Sequence, residues 1–119
     1  MNDQQIEQEI QAKGKTAPRI TPADIESSIA LEQYFTAFDG LVGNEINEPT
    51  GACVSRGSPF DLLTFCVLVL KNGFTVTGES ACVSPENFDA EIGRKIARKN
   101  AVEKIWPLMG FALRERLYG

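Results

Sequence analysis

Histidine is absent from this sequence. With it go the Ser-His-Asp and Cys-His nucleophile systems, the common zinc sites and the usual general base at neutral pH. Cysteine is scarce. Cys53, Cys66 and Cys82 make an odd number without C-x-x-C spacing, so they read as reduced thiols, with a Cys66–Cys82 bridge as the alternative. No stretch approaches the ~20 continuous apolar residues of a membrane span, and the polar start MNDQQIEQE does not read as a signal peptide. Positive charge is short as well: 12 Lys and Arg against 16 Asp and Glu leave a net charge of −4. That balance argues against general affinity for DNA, RNA or anionic membranes. There is no GxGxxG, no Walker lysine, no internal repeat and no low-complexity run. No catalytic constellation, metal site or cofactor motif emerges, so the expectation is a protein that is not an enzyme.

What is present suits one domain. A chain of 119 residues with 43% hydrophobic and 24% charged content can bury a core without staples. The chain is organised around Leu62 to Trp106, read as a β-hairpin running into a long amphipathic helix. Asn72-Gly73 is the dipeptide best suited to a two-residue turn, since both positions there need φ > 0. Closed between Lys71 and Phe74, such a turn sets Val69 against Val76, Val67 against Gly78, Leu70 against Thr75 and Leu68 against Thr77. The face carrying Phe65, Val67, Val69, Phe74 and Val76 is then uniformly apolar, and the first strand is expected to be buried on both sides, centrally or across a subunit interface.

For the helix, Ser84 reads as the N-cap and Pro85 as the first residue, with Glu86 and Asp89 near the positive end of the dipole and Pro107 marking the end. Phe88, Ile92 and Ile96 form the apolar stripe, flanked by Gly93 and Ala97, with Glu91, Arg94, Lys95 and Arg98 opposite. After Asn100 the pattern slips. Lys99 and Glu103 fall where the stripe should continue, as an i,i+4 pair on a partly exposed turn or as a polar site.

Upstream, residues 2–13 read as a short helix with Ile6 and Ile10 on one side, ended by Gly14. Residues 1–20 therefore form an N-terminal helix and linker, and residues 21–119 a single α+β domain: a small antiparallel hairpin or sheet packed by two main helices. The second of these helices starts at Thr21 as N-cap with Pro22 and Asp24 behind it. It is expected to carry Ile25, Ile29, Leu31, Tyr34, Phe35 and Phe38 to an end near Asp39-Gly40. From Gly40 to Pro59 a long loop rich in Gly, Pro, Asn and Ser is a candidate lid or contact region. The tail LMGFALRERLYG adds a short docking turn or two.

Two features can carry function. Between the second strand and the helix, Gly78-Glu79-Ser80-Ala81-Cys82 forms a corner where backbone amides and a helix N-terminus could hold an anion. Arg94, Arg98 and Lys99 give the helix a basic edge, and guanidinium groups near such a corner suffice for bidentate phosphate contacts. Trp106 is the nearest aromatic. The candidate ligand-binding set is thus Arg94, Arg98, Lys99, Ser80, Glu79 and Trp106, against the plainer reading of a solvated helix face beside an ordinary strand-to-helix connection.

The block TFCVLVLKNGFTVTGESACVSPENFDAEIGRKIARKNAVEKIWPLMGF, with TAPRITPADIE upstream, resembles the gene-49/gene-66 family of small tailed-phage and prophage proteins, through LKNGF, GESACVSPENFDAEIGRKIA and KIWPL. The resemblance implies a phage or prophage setting in a bacterial cell, hence the host cytoplasm, and carries over no catalytic residue or cofactor. Two functional expectations follow. The first is a non-enzymatic binding protein that counters host defence by sequestering a nucleotide-like signal or occupying a host defence protein. The second is a structural or DNA-linked accessory protein acting through self-assembly, suggested by the doubly apolar first strand and the Gly93/Ala97/Ala101 row. Either way a homo-oligomer, dimer or tetramer, is expected, with no membrane partner and nucleic acid not the expected partner.

Overall fold

Alternate burial along Leu63–Leu70 defines the middle strand, β2, of a three-stranded antiparallel sheet. The computed structural model describes residues 2–51 and 56–119, so Cys53 lies outside the described residues. In chain order the elements are α1 (Asp3–Ala12), α2 (Pro22–Ser28), β1 (Ile29–Thr36), α3 (Ala37–Asn47), β2, β3 (Thr75–Ala81) and α4 (Ala90–Tyr118), with 3-10 turns at Pro59–Leu62 and Pro85–Asn87. The strand order is β1-β2-β3. The result is the expected α+β arrangement, with α4 laid across β2 and β3.

The hairpin forms, but one residue out of the expected register. Val69 pairs with Thr75, Leu68 with Val76, Val67 with Thr77 and Cys66 with Gly78. The reason lies in the turn. Only Gly73 takes a positive φ, of 88°, and Asn72 does not, so the turn requiring both is not made. Instead the Gly73 amide donates to the Leu70 carbonyl, the Leu70 amide to Phe74, and the Asn72 side chain accepts from the Phe74 amide. This is the longer loop with one glycine in the left-handed region. A slip of one moves Val76 to the other face. The inner face is therefore Thr64, Cys66, Leu68, Leu70, Val76 and Gly78, all buried, and Phe74 is exposed.

The expected long helix from Thr21 stops at Ser28, and Ile29 to Thr36 pairs with β2 instead. Its start is as expected, a capping box between Thr21 and Asp24. Its end is set by Ser27 and Ser28, whose hydroxyls donate to the Asp24 and Ile25 carbonyls and compete with continuation of the helix. The free edge of an apolar central strand needs backbone partners, and that need overrides helical spacing in the following residues. Thr36 then caps α3 through a second box with Asp39, so part of the expected 40–59 loop is helical.

The start and end of α4 also differ from expectation. Ser84 and Pro85 open only a 3-10 turn, and the true N-cap is Asp89, whose carboxylate accepts from the Ile92 amide. Pro107 does not end the helix, which runs 29 residues, and the expected C-terminal tail is its continuation. The buried row is Gly93, Ala97, Ala101 and Ile105, while Ile92 and Ile96 are exposed. Small residues are required there because the α4 backbone rests on Gly78, and a Cβ on Gly93 would stand 3.1 Å from Thr64 Oγ1. The core comprises this row with Ile25, Cys66, Leu68, Leu70 and Val76. The Gly93/Ala97/Ala101 row is thus spent inside the chain.

Candidate functional site

The face of α4 towards β1 carries Arg94 and, one turn on, Arg98. Arg98 is held by two carboxylates from other elements. Its Nη1 and Nη2 donate to the two oxygens of Glu26 at 3.0 and 2.8 Å, and its Nε donates to Glu32 Oε2 at 3.2 Å. Tyr34 completes the group by donating its hydroxyl to Glu32 Oε2 at 2.6 Å. The bidentate fork is the strong form of such a pair. One side chain thereby ties α2, β1 and α4 together.

The electrostatics follow from that geometry. Hydrogen bonds from Arg98 hold the Glu26 carboxyl below the ordinary glutamate range, and the Tyr34 hydroxyl, then Arg98, do the same for Glu32. Burial first, and the bond to Glu32 second, push the Tyr34 phenol upward. The hydrogen bonds Arg98 donates to Glu26 and then to Glu32, against the opposing effect of burial, raise Arg98 further above its already high value. Burial raises the neighbouring Cys66 thiol. A guanidinium committed to two carboxylates has no fork left for a phosphate.

The other residues of the expected set lie apart. Arg94 is exposed and lines a cleft of about 100 Å³ with Tyr34, Thr36, Asp39 and Phe88, below the roughly 300 Å³ at which small-molecule pockets begin. Lys99 points to solvent. Glu79 and Ser80 lie along the other flank of α4: the Glu79 carbonyl accepts from Asn100 Nδ2 at 2.8 Å, and Ser80 borders an apolar cavity of about 270 Å³ with Cys82, Phe88, Ile92 and Ile96. In that corner the Cys82 thiol donates to the Ser84 carbonyl at 3.2 Å, and Cys66 and Cys82 are both free. Trp106 faces α1, bordering a groove of about 240 Å³ with Ile6, Ile10 and Ile20. The six are thus dispersed and do not gather into one site. Among the described residues no group of three or more Cys, Asp or Glu is placed to hold a metal.

Sequence reasoning missed Glu26 and Glu32, which stand 72 and 66 positions from Arg98 and carry no local signal of that contact, and with them Tyr34, which joins the group through Glu32. The apolar face of Phe65, Val67 and Val69 was expected, but not that β1 extends it with Leu31 and Phe35. There Leu31 and Phe35 are exposed, and Phe65, Val67 and Val69 are half-buried. Phe35 stacks on Phe65 with centroids 5.7 Å apart. Near that end α3 packs its Gly40 against the Phe35 ring.

With this geometry in hand, comparison with known protein families matches residues 20–117 to the Phage protein (N4 Gp49/phage Sf6 gene 66) family. The chain belongs to that family. No curated protein and no solved structure matches it. In this phage protein the match begins at Ile20, ahead of α2, and extends through all three strands almost to the end of α4. It leaves α1 outside. No helix among the described residues is long and apolar enough to cross a membrane.

Proposed function

We propose that this phage protein is a non-enzymatic binding protein that counters host defence by occupying a host protein in the bacterial cytoplasm, and that the outer sheet face is its contact surface. The observation that carries the reading is the one-sided cover of the sheet. Helix α4 covers the inner face of β2 and β3, with Cys66 and Leu68 at 0% exposure, whereas Leu31 on the outer face stands at 62%. An apolar strip of this kind, flanked by Gln33, Thr75, Thr77 and Glu79, has the make-up of a protein contact. The family supplies the phage setting. Sequestration of a nucleotide-like signal is the weaker form of the proposal, because Arg98 is engaged within the chain and Arg94 borders too small a cleft.

The test is phage plating on a panel of bacterial strains with different defence systems, each expressing the wild-type chain, Leu31→Glu or Arg94→Ala. The wild type is expected to restore plating on at least one strain, Leu31→Glu to fail there with an unchanged circular dichroism spectrum, and Arg94→Ala to behave as wild type. Full activity of Leu31→Glu would remove the outer face from the proposal. Loss with Arg94→Ala alone, together with a nucleotide-sized extra mass in the native mass spectrum, would return it to small-molecule sequestration.

A further inference from the structure

The chain is too extended for its length. Its radius of gyration is 18.3 Å and its longest dimension 58 Å, where a compact chain of this size has a radius of gyration of about 13.5 Å. The excess comes in part from the last turns of α4. Met109 is the last α4 residue against the body, bordering a cleft at the hairpin turn with Leu70 and Asn72; beyond it the helix continues as an arm to Tyr118. That arm is not a solvent helix. Phe111 is 71% exposed, Leu117 53% and Tyr118 80%, and its charges are only Arg114, Glu115 and Arg116. A helix apolar on most sides is normally covered, and about ten helical residues without a packing partner are marginal in water.

We propose that a second copy of this chain covers the arm, the two α4 arms running antiparallel about a two-fold axis near residues 111 and 112. Four residues carry the argument. Trp106, Gly110, Leu113 and Leu117 follow the four-three-four spacing of a coiled-coil seam. Antiparallel pairing about that axis sets Gly110 against the second copy's Leu113, and Trp106 against its Leu117. Small meets large at the first contact: a Cβ at Gly110 would have nothing within 4 Å in its own chain, leaving room for an incoming leucine. The second contact lies at an apolar recess, since Trp106 borders the groove of about 240 Å³ with Ile6, Ile10 and Ile20. Charge adds little: the arm is net positive through Arg114 and Arg116, but on α1, the far wall of the groove, Glu7 is paired with Arg19 and Glu9 with Lys13, which leaves Asp3 as the acidic group facing it. The contact is isologous, so it closes at two copies. None of this rests on the outer sheet face.

Sedimentation velocity across a range from about one to several hundred micromolar tests the pairing, with the emission of Trp106, the single tryptophan, as a second reading on the full chain. The wild type is expected to pass from 13.1 kDa to twice that mass, its emission shifting to the blue. Leu113→Glu, on the half-exposed arm and outside the core, should remain a monomer across the range with its circular dichroism largely kept. Gly110→Glu and Leu113→Lys should each associate at least tenfold more weakly, and an equimolar mixture should recover a dimer, because one contact becomes Glu with Lys and the other stays native. A wild type that remains monomeric overturns the proposal. So does a dimer that survives Leu113→Glu, and if Leu31→Glu then abolishes it, the second copy sits on the sheet.

Discussion

Gly78 and Ala101 meet backbone to backbone. A Cβ on Gly78 would overlap the Ala97 carbonyl oxygen and the Ala101 amide nitrogen and stand 2.9 Å from the Ala101 Cα. Neither neighbour is the movable end of a side chain, so Gly78→Ala must push α4 off the sheet. Overpacking of this kind costs roughly 1–3 kcal/mol or more, and a fall in urea midpoint of that size is expected. Gly43→Ala provides the contrast. Gly43 lies within α3 at ordinary helical φ with open space around its Cβ direction, and the substitution should stabilise by about 0.5–1 kcal/mol.

Arg98→Ala removes the clamp between α2, β1 and α4 and leaves Glu26 and Glu32 without their cation. Both carboxylates are partly exposed, so the expected loss at pH 7 is only about 1 kcal/mol. Its pH dependence is more informative. Glu26 and Glu32 are depressed below their ordinary value of 4.5, so their contribution is present above that pH and is lost as pH falls through the depressed values. Urea midpoints of wild type and Arg98→Ala should differ at pH 7 and converge towards pH 3. A gap undiminished in acid would mean that Arg98 acts through packing alone.

The two described cysteines should differ sharply in reactivity. Cys66 is at 0% exposure beneath α4, and burial raises its thiol, whereas Cys82 is half-buried at the edge of a cavity. The thiolate is the reactive form. In a Cys53→Ser background, iodoacetamide followed by mass spectrometry should label Cys82 first. Cys66 should wait for unfolding, its rate rising with urea. Equal labelling in native buffer would mean that α4 opens readily.

Pro107 has no amide for the Glu103 carbonyl and sits in the continuous helix just before the arm begins. Pro107→Ala restores the donor and should add up to about 3 kcal/mol of local helix stability. Hydrogen exchange should therefore slow at residues 108 to 113, with rates in the sheet unchanged. Unaltered exchange in the arm would show that Pro107 imposes no penalty there.

Much of this was legible in the sequence wherever the signal is local. The Asn2-to-Gly14 helix, the Thr21 cap and the hairpin near Asn72-Gly73 are each fixed by residues within a few positions of one another. The one-residue slip was not legible, since Asn72 serves either turn and the choice depends on whether its φ turns positive. Nor was β1, although Ser27 and Ser28 and the Thr36-Ala-Phe-Asp39 box mark its two ends. The basic edge of α4 was visible as a pattern, but its meaning depended on carboxylates brought in by two other elements. The Gly/Ala row looked like a surface for another molecule because Gly78, its partner, is distant in sequence.

Two layers have a consequence for how the chain is made. The strands are complete at Ala81, but the inner face of the sheet has no cover until α4, which follows it in the chain, has emerged from the ribosome. Until then Cys66, Leu68, Leu70 and Val76 have only α2 and its neighbours to shelter them. A nascent chain halted before Ile105 should therefore engage chaperones and resist native folding. One allowed to pass Met109 should fold at once, so synthesis itself times the appearance of the finished protein.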